Sequence, residues 1–232
     1  MLDIHRNPAE SLRERYERVR ATSLALITDL RPEDTVIQSM PDVSPTKWHL
    51  AHVTWFFERF VLEPCGVPRL DDEYHYLFNS YYNSVGEMHP RPQRGLISRP
   101  TLAEVLDYRA HVDEQMARVL DDGRIDDAIR DVLVLGLHHE QQHQELLLTD
   151  IKHVLSRNPL RPAARSDLET TSGAVASAYE FTSSNSGIVR IGHDGNGFCF
   201  DNERPRHDAL LHPHAIGDRL VTNAEYLYLI HI

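Results

Sequence analysis

The stretch Gly136-Leu-His-His-Glu-Gln-Gln-His-Gln-Glu-Leu-Leu-Leu-Thr-Asp150 decides how this chain is read. It lies in a helical pattern over about residues 125–155, which Gly123 precedes and Asn158-Pro159 follows, so breaker residues stand at both ends. Positions i and i+4 of a helix share a face about 5–6 Å apart, so His139 and His143 can converge on one metal ion. The apolar positions Ile125, Ile129, Val132 and Gly136 lead at helical steps to His139, His143, Leu146 and Asp150, which puts the pair on the stripe expected to face the core. Unpaired imidazoles in an apolar interior are costly, and ligation removes that cost. His138, about 100° away around the helix, is read as structural.

A third ligand comes from Trp48-His-Leu-Ala-His-Val-Thr-Trp-Phe56, where His52 shares the apolar side with Trp48, Trp55 and Phe56. His49 falls about 100° from that side and is given an edge or hydrogen-bonding role. Three imidazoles from two facing helices make a neutral site with open positions, suited to catalytic Zn or to oxygen-activating Fe(II). These residues do not choose between the two metals. His139-Glu140-x-x-His143 is also formally the HExxH pattern, in which the glutamate acts as base on a zinc-bound water. The extended metzincin form needs Gly at 146 and His at 149, where this chain has Leu146 and Thr149, and the metalloprotease reading is set aside.

Three further helical patterns precede the central one. They cover residues 9–30, closed by Pro32, then 45–62, with Ser44 as N-cap and Pro45 at the first position, and 102–120, with Thr101 and Glu104 in capping-box spacing. The Tyr-, Asn-, Pro- and Arg-rich stretch 63–100 is a long loop, and its aromatics argue that it is ordered. Residues 161–186 read as a linker, with an Ala/Ser run and Thr170-Thr-Ser-Gly173. From Gly187 the helical period gives way to short apolar stretches, Ile188 to Ile191 and Ala209 to Leu211, that read as strands. Thr222 and Glu225 then form a second capping-box pattern.

Composition narrows the class of function. The 232 residues carry 24 Lys plus Arg against 35 Asp plus Glu, a formal charge of −11, which argues against nucleic acid or an anionic membrane as partner and leaves small molecules or proteins. No apolar run approaches the roughly 18 residues of a membrane span, and the first ten residues lack the pattern of a signal peptide, so the expected location is cytoplasmic. Cys65 and Cys199 fall in no metal-type spacing, whereas 15 histidines exceed an average share.

Taken together, Ser44-Pro-Thr-Lys-Trp-His-Leu-Ala-His52 with Trp55-Phe-Phe-Glu58, Phe78-Asn-Ser-Tyr-Tyr82, His89-Pro-Arg-Pro-Gln-Arg-Gly95 and the stretch from Gly136 to Asp150 resemble the ergothioneine-biosynthesis sulfoxide synthases, the EgtB-type hercynine oxygenases. Beyond the linker, Gly187 to Gly192, Asp201-Asn-Glu-Arg-Pro205 and Val221-Thr-Asn-Ala-Glu-Tyr226 resemble the opening of the formylglycine-generating-enzyme-like (sulfatase-modifying-factor) domain of that family. The likeness covers nearly the whole chain. It implies an α+β chain: a DinB-like four-helix bundle over 1–160, a linker over 161–186 and the incomplete start of a mixed α/β formylglycine-generating-enzyme-like domain over 187–232.

The resemblance further implies Fe(II) held by His52, His139 and His143, the same three residues that the helical faces select. It implies an oxygenase that joins hercynine to gamma-glutamylcysteine or cysteine with O2, giving a sulfoxide. Arg91 and Arg94 match the arginines that bind the thiol substrate's carboxylates, and Gln142 matches a residue near the hercynine site. The family's proton-donating tyrosine lies later in the second domain, so it is expected beyond residue 232; Tyr226 and Tyr228 belong to the opening helix and do not take that role. An incomplete chain is therefore expected, and a second chain completing the C-terminal domain is the protein partner this admits. The alternatives are a DinB-like metal-dependent thiol transferase and a metal-binding module that needs a second chain.

Overall fold

The computed structural model describes residues 10–80, 85–165, 177–195 and 197–230. The chain divides into two units, Met1–Ser166 and Asp167–Ile232. It is mostly helical, with a small region of two two-stranded sheets in the second unit.

In the first unit, α1 (Leu12–Ala25) opens on a capping box in which Ser11 and Glu14 satisfy each other's backbone N–H. It stops short of the expected residue 30. Ile27 and Leu30 donate to carbonyls only three residues back, tight turns that lead into Pro32, which cannot continue a helix. α2 (Thr46–Phe57) is buried at every position, as a helix apolar on nearly all sides must be. Its N-cap is Pro45, not Ser44: the Ser44 N–H instead donates to Asp150 (2.8 Å) and its hydroxyl accepts from Arg94 (2.8 Å), so neither is left to cap a helix. α2 runs on into a π turn, Glu58–Leu62, closed by the Glu63 N–H on the Glu58 carbonyl (2.9 Å).

The long loop is folded where it is described. It holds α3 (Asp72–Phe78), capped by the Asp71 carboxylate on the Glu73 N–H, and a 3₁₀ turn at Arg91–Leu96. Buried Lys47 ties its end to α2 by donating to the carbonyls of Ser98 (2.9 Å) and Pro100 (2.7 Å). Tyr81 and Tyr82, part of one quoted motif, lie outside the described residues. α4 (Leu102–Asp121) begins at the Thr101–Glu104 capping box, and α5 (Asp127–Arg157) begins where Asp126 accepts from the Ile129 N–H.

The core is built from Leu50, Phe57, Val112, Met116, Leu133, Leu137 and their neighbours. Gly136 lets α5 approach α2, because a Cβ there would stand 2.6 Å from a Phe57 ring carbon and 2.8 Å from one of Phe56. The buried stripe of α5 is not the expected one. It runs through Leu133, Gly136, Leu137, Glu140, Leu147 and Ile151, whereas Leu146 is 42% exposed and His139 and His143 are half-buried. The stripe is turned by one residue because two arginines neutralise Glu140 and allow a carboxylate into the core.

In the second unit β1 (Phe181–Ser184) pairs antiparallel with β4 (His214–Gly217), and β2 (Gly187–Ile191) with β3 (His207–Leu211). β1 falls inside the stretch expected to be linker; its polar composition hid a strand whose backbone groups are satisfied by β4. Residues 166–176 of that stretch lie outside the described residues. α6 (Asn223–Ile230) follows the Thr222–Glu225 capping box, and no described residue of this unit is buried. Among the described residues no helix is long and apolar enough to cross a membrane.

Candidate metal centre

α2 brings His52, and one turn of α5 brings His139 and His143, to a single point where one nitrogen from each lies within 4.8 Å of the others. The His52 and His139 Nε2 atoms are 3.2 Å apart, and the His143 ring centroid stands 4.7 Å from that of His52 and 4.6 Å from that of His139. His52 is buried in α2, while the two α5 residues are half-buried and form the open side. An aromatic wall fixes the inner histidine. Trp48 stacks on His52 at 4.6 Å and 13°, and Trp55 at 5.7 Å and 20°. Each indole is anchored in turn, Trp48 Nε1–H donating to the Leu77 carbonyl (3.1 Å) and Trp55 Nε1–H to His75 Nδ1 (3.2 Å).

The donor chemistry fits a metal ion. His52 Nδ1–H donates to the Phe78 carbonyl (2.6 Å), which leaves Nε2 as a bare lone pair toward the cluster. His139 Nδ1 is buried with no hydrogen-bond partner among the described residues, and its Nε2 faces that of His52. Burial pushes the His52 and His143 rings well below the usual histidine range and brings His139 down to about 4. All three are therefore neutral at neutral pH. In the metal-free protein the 3.2 Å contact is met by a hydrogen on His139 Nε2 donating to the bare His52 Nε2; moving that hydrogen to Nδ1 frees both nitrogens for a cation, and three imidazoles suit a borderline divalent transition metal.

Around the cluster, His49 Nδ1 lies 2.8 Å from His143 Nδ1, and His49 Nε2 lies 2.9 Å from Asp150 Oδ2. His49 thus takes a hydrogen-bonding place and is not one of the three clustered histidines. Buried Arg94 donates to the hydroxyls of Ser44 (2.8 Å) and Ser80 (3.0 Å), and its guanidinium lies 3.3 Å from the centroid of the Trp48 ring, behind His52. Arg91 is exposed and donates to the Asp42 carbonyl (2.6 Å). Gln142 is exposed on α5. Of these three residues, only Arg94 is packed against the aromatic wall of the cluster. His138 meets Arg15 at 3.0 Å.

Glu140, the glutamate of the HExxH pattern, points into the core. Its carboxylate accepts from Arg109 (2.6 Å), Arg20 (3.1 Å) and the Ser23 hydroxyl (2.6 Å). Burial alone would push this carboxyl up, but Arg109 and Arg20 overcome it and hold the group at about 2. A carboxylate engaged in this way cannot serve as base on a water at the histidines. The network and the Asp150–His49 pair escaped the sequence reading. Their one signal was polar residues, Arg20, Arg109 and Asp150, at helical positions that an apolar stripe would otherwise occupy.

No curated protein matches the chain. Among family models, the one for the DinB superfamily matches residues 15–147, more than half of the chain and inclusive of all three clustered histidines.

Proposed function

The chain belongs to the DinB superfamily, and from that premise we propose that it is a metal-dependent enzyme whose ion is held by His52, His139 and His143. The observation that carries this is the convergence of one nitrogen each from His52, His139 and His143 within 4.8 Å of one another, beside the wall of Trp48 and Trp55. In its specific form the function is Fe(II)- and O2-dependent C–S bond formation between hercynine and gamma-glutamylcysteine or cysteine, giving a sulfoxide. The resemblance of the quoted motifs supports that form. The same proposal takes residues 1–160 as a four-helix DinB-type bundle and residues 187–232 as part of a formylglycine-generating-enzyme-like domain.

Bound Fe(II) would supply redox chemistry with O2 and open positions for a thiolate. The chain's own residues do the rest. His52 is held in one tautomer by the Phe78 carbonyl and clamped by two indoles, so its lone pair is aimed before any ion arrives. Trp48, Trp55 and Phe56 keep water from the inner side of the cluster. Arg94 sets a positive charge behind Trp48, and the Ser44 and Ser80 hydroxyls that accept from it each retain an O–H to donate, a suitable cradle for a substrate carboxylate. Arg91 and Gln142, in this proposal, meet substrate from the exposed side.

Anaerobic loading with Fe(II), followed by oxygen uptake and mass analysis with hercynine and gamma-glutamylcysteine or cysteine, tests the specific form. Thiol-dependent oxygen consumption with a sulfoxide product is expected, and its loss in His139→Ala. The family match bears equally on a second reading, a DinB-type thiol transferase that activates a thiolate without oxygen. Zn-supported thiol transfer with no oxygen uptake favours that one. Metal uptake with turnover only after a second polypeptide is added favours a module completed by another chain.

A further inference from the structure

Beyond the three clustered histidines, a second pair of side chains is arranged behind one of them. We propose that Asp150 and His49 are positioning residues that fix the tautomer and orientation of His143 and raise its strength as a ligand; this rests on the metal reading above. Asp150 and His143 share a face of α5, seven residues apart, and His49 of α2 stands between them.

Proton placement follows from the partners. The Asp150 carboxylate is acceptor-only, so the His49 nitrogen 2.9 Å from it, Nε2, carries a hydrogen. In the arrangement proposed His49 keeps Nδ1 bare, and the contact at 2.8 Å is His143 Nδ1–H donating to it. His143 Nε2 is then its bare nitrogen, on a ring that has one nitrogen within 4.8 Å of those of His52 and His139. The negative charge of Asp150 polarises His49, and His49 in turn pulls on the His143 N–H, which enriches the opposite nitrogen. Asp150 is itself held by the Ser44 N–H (2.8 Å) at the start of α2, so the relay is fixed at both ends to the helix pair that forms the site. His52 gets the same service from a backbone carbonyl, whereas His139 has no partner at Nδ1 among the described residues. The three ligands thus differ in their support, and His143 is the one with a charged residue behind it.

Co(II) titration of the full chain, read as both dissociation constant and visible absorption, tests this. His49→Ala is expected to weaken Co(II) binding by about 10–100-fold and to alter the band positions, since one ligand is freed to rotate. His49→Gln, whose amide can accept from His143 and donate to Asp150, should recover most of both. Asp150→Asn keeps the size and an acceptor but loses the charge, and should fall between them; it carries the test if His49→Ala does not fold. His138→Ala, on the same helix but paired with Arg15, should leave both readouts unchanged. Wild-type affinity and an unchanged spectrum in His49→Ala and Asp150→Asn overturn the inference while the metal reading stands. A wild-type chain that takes up no Co(II), or one whose uptake survives His139→Ala, overturns the metal reading and this inference with it.

Discussion

On one side of α5, Glu140 carries a buried charge answered by two guanidiniums and a hydroxyl; on the adjoining side, one residue away, His139 turns a nitrogen to within 3.2 Å of that of His52. Both clusters are polar groups packed among apolar helices, and both gather residues far apart in sequence. They differ in closure. The Glu140 network reaches Arg20, Ser23, Thr54, Arg109 and, through Arg20, Asp113 and Tyr16, so its charges are answered by each other, although Arg109 Nε finds no partner among the described residues. The histidine cluster is anchored from outside at His52 and His143 and gathers one nitrogen of each of its three rings at a single point. A polar cluster that answers its own charges holds a fold together, and one that brings three imidazole nitrogens to a single point is suited to a cation.

The largest effect should come from breaking the closed cluster. Glu140→Ala leaves Arg109 buried without its counter-charge and Arg20 with Asp113 alone, and a buried pair broken in this way typically costs ~3–5 kcal/mol. A thermal melt monitored by circular dichroism should show a fall of roughly 6–20 °C in Tm at about 2–4 °C per kcal/mol, the same with and without metal. A Glu140→Ala chain that keeps its Tm but loses all turnover would make Glu140 a catalytic base and erase the contrast between the two sides.

The open cluster should respond to metal and the closed one should not. A divalent ion at about 100 times its Kd adds ~2.7 kcal/mol to the folded state, and a chelator removes that gain. In His139→Ala or His143→Ala the metal-induced rise in Tm should vanish, while the metal-free Tm stays close to wild type, because the deleted imidazole is half-buried and its burial was costly. A metal-induced rise that persists in both variants would move the ion elsewhere.

These two clusters also mark how far the sequence could be read. The spacing of His139 and His143 is a local property of one helix, and the face of His52 a local property of another, so both were legible. So were the Thr101–Glu104 and Thr222–Glu225 capping boxes, whose partners are three residues apart. The buried stripe of α5 was misjudged because what makes Glu140 a core residue is the pair Arg20 and Arg109, which α1 and α4 supply from distant positions. Ser44 looked like a cap for the same kind of reason: the groups that claim it, Arg94 and Asp150, lie at least 50 residues away in the chain. β1 was hidden because strand pairing with β4 depends on a partner about thirty residues on, and a Thr/Ser strand has no apolar alternation to announce it.

Gly136 joins the two sides, since it sets how closely α5 approaches α2. Gly136→Ala drives a methyl against the Phe57 and Phe56 rings and should cost ~1–3 kcal/mol by overpacking. Phe56 also lies 4.9 Å from the His139 ring, so the displaced ring should carry His139 with it. Weaker metal binding together with a lower Tm is the expected pair of results, measured by Co(II) titration and thermal melt. A Tm loss with metal affinity intact would show that the ligand spacing does not depend on this contact.

The smallest effect separates the clusters most cleanly. α1 supplies Arg20 and Ser23 to the Glu140 network, while the three clustered histidines come from α2 and α5. Ser11→Ala deletes the hydroxyl that accepts from the Glu14 N–H at the exposed start of α1, which typically costs about 1 kcal/mol. Frayed at that end, α1 should hold Arg20 and Ser23 less firmly and lower Tm by a few degrees, on the scale of roughly 2–4 °C per kcal/mol. Co(II) affinity and spectrum should not move, because the links of α1 to the helices of the site, Arg15 to His138, Val19 and Ser23 to Gln144, Arg20 and Ser23 to Glu140 and Arg20 to Thr54, end on residues other than the three clustered histidines. If Ser11→Ala weakened Co(II) binding in step with stability, the open and closed clusters would be one cooperative assembly, and the division of labour along α5 would have to be given up.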